Sequence, residues 1–389
     1  MPKTPSVPSL KIGLLLDTSL DPQDGVQQYV IGVGEWLRMQ GHDVHYVVGQ
    51  TTERSLPNIH SMTRNVGVSF NGNRTTIPLF LSKHNARLFL QKEQFDILHV
   101  QTPHHPFMAQ RLIMAASPTT GVLATFHILP YGLVARLATK ILGWLLRPSL
   151  QRIDSMLAVS ASAAEFEKQT FGLTAQVLPN VIDYPRFNSA SPFPKQNGEL
   201  TILFLGRLVE RKGCRVLLEA IVELTHASDA ATLPTFKVVI CGKGHLDSQL
   251  RDYVRRHGLE DRVTFTGFVS EADKPRYYAS ADIAVFPSSG GESFGIVLLE
   301  AMASGSAAVL AGDNPGYRTV MDPKPELLFD PKNVQLLVDK LRELLLDGAK
   351  RQTLATWGAN YAAQFDVAIV GTKLVNEYNE VLRSRRNMQ

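Results

Sequence analysis

The sequence predicts an α/β protein made of two doubly wound, Rossmann-like halves. Three observations point there. Short runs that are apolar throughout alternate with helical stretches along the whole chain. A Pro/Ser/Asn-rich interruption near residue 190 divides that pattern in two. The length, 389 residues, supplies two cores of ordinary domain size.

Ile12–Leu16 is an apolar run that ends at Asp17. A loop from Asp21 to Gly25 leads into a helical pattern through Val30, Val33, Trp36 and Leu37, which stops at Gln40-Gly41. Val44–Val48, Asp96–Val100, Val122–Phe126 and Ser155–Val159 repeat the short apolar run. Such strands, separated by helices, form a parallel sheet covered on both faces. From Phe187 to Glu199 the chain holds Pro192 and Pro194 beside Asn188, Ser189 and Ser191, shows no periodicity and reads as a linker. Strand runs then resume at Thr201–Leu205, Lys237–Cys241, Val263–Phe265, Asp282–Phe286 and Ala307–Leu310. Helical stretches lie at Cys214–Leu224, His245–His257 and Glu300–Ser304. The final stretch, Val367 to Leu382, is helical, with Val370, Leu374, Val375, Tyr378 and Leu382 on one face. The expected lobes are 1–188 and 199–365. Two such halves leave a cleft between them, and ligands of open α/β sheets bind outside the carboxyl ends of the strands, which suits a two-substrate reaction.

Composition excludes several classes. Hydrophobic residues at 44% and charged residues at 20% are globular values, so disorder is not the main state. A net charge of +4 is too mild to argue for a nucleic-acid partner. Two cysteines, Cys214 and Cys241, exclude a disulfide scaffold and a Cys-rich zinc site and read as small hydrophobes in a reducing cytosol. No signal peptide and no apolar run of membrane-spanning length is visible, so a cytoplasmic protein is expected. The charge is uneven: no Asp or Glu occurs between Asp96 and Asp154, while Arg111, Arg136, Lys140, Arg147 and Arg152 fall in that window.

The segment Ser288-Ser289-Gly290-Gly291-Glu292-Ser293-Phe294-Gly295, running on to Glu300, follows a strand and opens a helix. The glycines let backbone approach a ligand, and a helix start offers N–H groups and positive dipole to phosphate. Glu292 and Glu300 bracket the turn, and carboxylates accept from the diols of a sugar or a ribose. The competing reading makes Glu292 a helix cap and puts Glu300 on a solvated face. Gly206-Arg207 followed by Arg211-Lys212-Gly213 ends the first strand of the second half, where Arg207 and Lys212 could hold a diphosphate, or where they simply form a solvated basic turn. Asp24-Gly25 shapes the loop after the first strand. There is no G-x-G-x-x-G fingerprint in that loop, no P-loop and no Asp-x-Asp pair for a carboxylate-held metal. His99, His104, His105 and His127 cluster in the first half without H-x-x-x-H spacing, so no metal site is expected; His127, at a strand's carboxyl end, is well placed for substrate.

These residues resemble the glycosyltransferase family 4 group, whose fold, termed GT-B, sets two Rossmann-like doubly wound lobes facing a central cleft. The E-x7-E motif corresponds to Glu292 through Glu300, and the donor-phosphate loop to Gly206-Arg207 and Lys212-Gly213. Leu178-Pro179-Asn180-Val181-Ile182-Asp183 is similar to the family's stretch before the linker, with Val181 in place of Gly. Within the family the run Gly290 to Ala303, together with Ala124-Thr125-Phe126-His127, Asp96-Ile97-Leu98-His99 and Asn71-Gly72, looks most like phosphatidylinositol α-mannosyltransferases. The resemblance implies transfer of mannose from GDP-mannose, with retention, to a lipid acceptor such as phosphatidylinositol, on the inner face of the cytoplasmic membrane. It implies that Arg207 and Lys212 bind the donor diphosphate, that Glu292 contacts the donor sugar and Glu300 the ribose, and that His127 sits near the reacting centre. Gly206, Gly291, Phe294 and Gly295 would shape the donor loop, and Gly25 and Asn71 the acceptor side. It also implies that the C-terminal helix, 366–389, crosses back to the first lobe. No cofactor beyond the nucleotide-sugar co-substrate is expected, and no metal for catalysis.

Val134, Leu137, Ala138, Ile141, Leu142 and Leu145 recur at i, i+3, i+4, i+7, i+8 and i+11, one apolar helical stripe. Arg136, Lys140 and Arg147 lie on the other side and Trp144 at the border, so a basic amphipathic helix on an anionic membrane surface is one reading. The other buries the stripe on the first lobe's sheet, and the enzyme is then a soluble transferase with a non-lipid acceptor. A sugar-nucleotide epimerase or a non-catalytic binder on a similar fold is a third.

Overall fold

The computed structural model describes residues 9–387 apart from 22–24, 71–72, 79–80, 128–132, 196–197 and 229. The chain divides into two compact units, Met1–Val181 with Val367–Gln389, and Ile182–Asp366.

The first unit is built on a seven-stranded sheet in the order Ile59–Ser61, Asp43–Val48, Lys11–Leu16, Ile97–Gln101, Gly121–Phe126, Ser155–Ala158, Gln176–Val177, every neighbouring pair parallel. Successive side chains of a strand face opposite sides. Leu14 and Leu16 accordingly enter one core, with Tyr29, Val33 and Trp36 of helix Gly25–Met39 and Val370, Leu374 and Tyr378 of helix Val367–Asn387. Leu15 enters the other, with Leu90 of helix Lys83–Glu93 and Leu112 and Ile113 of helix Met108–Ala115. An antiparallel hairpin, Asn65–Phe70 with Asn73–Pro78, stands apart from the sheet.

The second unit carries six parallel strands in the order Val263–Gly267, Phe236–Cys241, Leu200–Leu205, Ile283–Phe286, Ala308–Gly312, Leu328–Phe329. In both sheets the chain winds outward from the first strand in one direction and then in the other. The order therefore reverses between Lys11–Leu16 and Ile97–Gln101, and again between Leu200–Leu205 and Ile283–Phe286. Loops leaving the carboxyl ends on either side of such a reversal form the ligand crevice of doubly wound folds.

The first unit stops at Val181, not at 188. Residues 182–188 belong to the second unit because their polar groups are satisfied there. The Ile182 N–H donates to the Phe365 carbonyl (3.0 Å) and the Tyr184 N–H to Asp366 Oδ2 (3.1 Å). Residues Tyr184–Asn188 form a short helix capped by Asp183, with Phe187 buried and the Asn188 amide donating to the Ala303 carbonyl (3.1 Å). The expected linker therefore begins as structure.

Helix Leu133–Leu150 bears on the two readings of its apolar stripe. Gly143, Leu146, Ser149 and Leu150 form its inward face, with Gly143 against the Phe171 ring. Ile141 and Leu145, two members of the apolar stripe, are 59% and 60% exposed, against the reading that buries it, and Trp144 is 74% exposed. Arg147 is exposed beside them. The inward face closes with the small Gly143 on Phe171, leaving the bulkier apolar side chains outside. The side chains of Arg136 and Lys140 lie outside the described residues. Among the described residues, no helix is long and apolar enough to cross a membrane.

Candidate active site

Two loops of the second unit leave strands on opposite sides of its reversal point, and between them they carry the chemistry. After strand Leu200–Leu205 comes Gly206-Arg207, then the single turn Glu210–Lys212, then Gly213 heading helix Cys214–His226. After strand Ile283–Phe286 comes Ser288 to Gly295, and Gly295 heads helix Ile296–Ala303. Gly213 has φ 71°, and a Cβ there would collide with the Pro287 carbonyl. Only glycine lets the two loops approach so closely. Gly295 has φ 117°, and a Cβ would stand 2.9 Å from the Tyr317 ring. Gly291 also has positive φ, 70°, whereas Gly206 is in ordinary contact with Phe204.

At this junction Glu292 Oε1 accepts from Lys212 Nζ (2.9 Å), Arg211 Nη1 (2.8 Å) and the Ser288 hydroxyl (2.9 Å). Burial alone would push the Glu292 carboxyl up, but the two cations and the hydroxyl outweigh it and hold it below the ordinary carboxylate value. Burial draws the Lys212 ammonium below its usual range, against the pull of Glu292, with Arg211 and Arg207 adding like charge. Cationic donors thus converge at the crevice, one carboxylate among them, in a place shielded from water where charge interactions are strong. Asn314 fastens the loop, its amide donating to the carbonyls of Ser288 and Gly312 at 3.1 Å each. Phe294 is buried and packs edge-on to Phe365 at 6.0 Å.

Neither competing reading of the two glutamates holds. Glu292 is bound by cations and caps no helix. Glu300 does not lie on a solvated face: it is 3% exposed, its oxygens taking Lys274 Nζ (3.2 Å) and the Tyr278 hydroxyl (3.0 Å). Burial raises its carboxyl, with Lys274 opposing.

In the first unit His127 ends strand Gly121–Phe126 and is 4% exposed. Its Nε2 lies 2.7 Å from Gln101 Oε1, and the Tyr29 ring meets it edge-on at 4.9 Å. Burial pushes its imidazole down to about 3, with Asn180 opposing, so it is neutral near pH 7 and offers hydrogen bonds without charge. His99 is fully buried between Thr125 Oγ1 (2.7 Å) and the Tyr378 hydroxyl (2.8 Å). Among the described residues, His99, His104, His105 and His127 form no metal-ligand group. Gly25 is the exposed first residue of its helix. Asp24 and Asn71 lie outside the described residues.

With this geometry in place, comparison with known proteins is direct. The family model described as "Glycosyl transferases group 1" matches residues 186–360, and "Glycosyltransferase Family 4" matches residues 23–186. The phosphatidyl-myo-inositol mannosyltransferase of Mycobacterium tuberculosis is 32% identical over 392 residues, covering 98% of this chain and 99% of that protein. The chain belongs to glycosyltransferase family 4. A GDP-mannose-dependent alpha-(1-6)-phosphatidylinositol monomannoside mannosyltransferase of the same species is 32% identical over 60% of this chain and 66% of its own. Sucrose-phosphate synthase of Thermosynechococcus elongatus has the same fold, with TM-score 0.72 and 18% identity, covering 96% of this chain and 100% of that one. The protein is a glycosyltransferase of the GT-B fold that transfers a hexose.

Sequence reasoning passed over three residues of this glycosyltransferase. Arg211 was read only as part of a basic turn, yet it grips Glu292 as closely as Lys212 does. Lys274, buried, holds Glu300. Asp17, buried at the end of strand Lys11–Leu16, accepts the Ala109 N–H at 2.6 Å, and burial raises its carboxyl to about 7. A strand-ending acid was a visible signal for Asp17. The other two depend on tertiary contact alone.

Proposed function

We propose that this glycosyltransferase moves mannose from GDP-mannose to the headgroup of phosphatidylinositol, with retention of configuration, while seated on the inner face of the cytoplasmic membrane. The observation that carries the reading is the Arg211–Lys212–Glu292 cluster at the second unit's reversal point, taken with the names of the relatives that match nearly the whole chain. Arg207 and Lys212 bind the donor diphosphate and take up the charge that builds on it as the glycosidic bond breaks. That assigns the neutralising role to side chains, with no metal required. Glu292 contacts the donor sugar and Glu300 the ribose. Gly206, Gly291, Phe294 and Gly295 shape the loop around them. His127, uncharged, contacts the sugar near the reacting centre, and Gly25 and Asn71 belong to the loop that meets the acceptor. Attack on the same face through an oxocarbenium-like state accounts for retention without a covalent intermediate. Ile141, Trp144 and Leu145, exposed together beside Arg147, fit insertion of an aromatic and two aliphatic side chains among anionic headgroups.

The test is transfer by the purified chain from a panel of GDP- and UDP-sugars to phosphatidylinositol in vesicles, with the anomeric product read by NMR. The reading expects an α-mannoside from GDP-mannose alone. Transfer from a UDP-sugar, a β-linked product, or transfer only to free sugars would overturn it.

A further inference from the structure

At the amino end of the first unit's sheet, opposite the carboxyl ends where His127 lies, three side chains from three elements converge. Strand Asp43–Val48 brings His45, and the short edge strand Ile59–Ser61 brings His60. The register pairs Val47 with His60, so His45, two residues before Val47, shares that face. Helix Lys83–Glu93 ends on the third, Glu93. His45 Nδ1 lies 2.8 Å from His60 Nε2 and 3.7 Å from Glu93 Oε2, and the three ligand atoms all fall within 4.8 Å of one another.

The surroundings hold these groups as metal ligands are held. His45 Nε2 lies 3.2 Å from Asp43 Oδ1. A carboxylate on the outer ring nitrogen places the proton there and turns the lone pair of the inner nitrogen toward the cluster. The two imidazoles are parallel, 5.1 Å apart and 5° from coplanar orientation. Phe95 meets the His45 ring edge-on at 5.3 Å and Phe89 the His60 ring at 5.0 Å, so apolar walls fix both. Lys11 Nζ, 3.0 Å from Glu93 Oε2, is part-exposed, and that oxygen keeps a second lone pair for the cluster.

We propose that His45, His60 and Glu93 bind one divalent transition ion of the zinc type. Two imidazoles and a carboxylate are a zinc donor set, with metal–ligand distances of about 2.0–2.2 Å and a fourth position for water. Tetrahedral ligands at that distance stand about 3.3 Å apart; two pairs stand at 2.8 and 3.7 Å and the third within 4.8 Å, so side-chain shifts of up to about 1.5 Å assemble the site. The His60 proton that bridges the rings passes to its own Nδ1 as the ion enters. The ion pins the edge strand and the helix end to the sheet, away from the sugar chemistry.

The experiment is calorimetric titration of the full, chelator-treated chain with Zn2+, with Co2+ absorption to report the ligands. One ion per chain is expected, with a Kd in the micromolar range or below. His60→Gln and Glu93→Gln should each weaken binding by about 100-fold, and Asp43→Asn by about 10-fold. His84→Ala, an exposed histidine on the same helix, should change nothing. Zn2+ should raise Tm in the parent but not in His60→Gln, with Glu93→Gln standing in where that variant does not fold. Absence of saturable binding, or equal binding in parent, His60→Gln and Glu93→Gln, overturns the site.

Discussion

Glu292 is shared between two cations, and that sharing decides what its neighbours do when one is removed. In Lys212→Ala, Arg211 still neutralises the carboxylate, so the loop keeps its fold and the loss falls on the donor. Affinity for the nucleotide sugar and kcat/KM should drop by about 100-fold with Tm nearly unchanged, as calorimetry and steady-state kinetics would read. In Glu292→Gln, two part-buried cations lose their partner, so activity and Tm should fall together. The pH dependence separates the two variants further. A carboxyl held below its ordinary value contributes stability above that value and loses it as pH falls through the lowered one. The parent should show this acid-side step in Tm, Lys212→Ala a smaller one because the cation that lowers the carboxyl most is gone, and Glu292→Gln none. At this scale the sequence was informative about residue types at strand ends, because ligands of this fold gather there. It was blind to partners: nothing in the spacing from Glu292 to Glu300 tells that the first meets Lys212 and Arg211 while the second is held by Lys274 and Tyr278.

Among elements, strands buried on both faces were legible to within a residue or two, since an apolar run bounded by turn residues has few alternatives. The edge pieces Ile59–Ser61, Gln176–Val177 and Leu328–Phe329 were not, being two or three residues long, and neither was the hairpin at Asn65–Pro78. Helix Leu133–Leu150 shows why periodicity gives a face but not its direction: Ile141 and Leu145 of the stripe face outward, and a glycine-lined side packs inward. Replacing Arg136, Lys140 and Arg147 together with Gln should reduce binding to anionic vesicles in flotation while donor affinity holds; equal loss of both would make the helix structural. Helix Ala161–Phe171 carries a second element-level test. Glu167 is buried there, and burial raises its carboxyl to about 8. A raised acid stabilises the fold below its ordinary value and loses that contribution as pH climbs through the raised one. Glu167→Gln should therefore gain Tm relative to the parent progressively between pH 5 and about pH 8.

For the whole molecule, the return of the chain to its first unit is the dominant feature. Helix Val367–Asn387 completes one of that unit's two covering layers beside helix Gly25–Met39, through Val370, Leu374 and Tyr378. Arg385 clasps Asp154 with two hydrogen bonds, at 2.9 and 2.5 Å. Gly371 lies against Trp36 so closely that a Cβ would stand 2.5 Å from the ring. Gly371→Val should cost about 1–3 kcal/mol, read by denaturant unfolding of the first unit. The sequence displayed this helix and its apolar face; its destination followed only from the family resemblance, because nothing local in an amphipathic helix names the surface that it covers. During synthesis the consequence is one of order. Residues 182–366 leave the ribosome, and can fold, while strands 11–16, 97–101 and 121–126 still lack the layer that Val370 and Tyr378 supply. The unit begun first is finished last, so its half-covered sheet face is the surface a chaperone would have to guard until the final helix arrives.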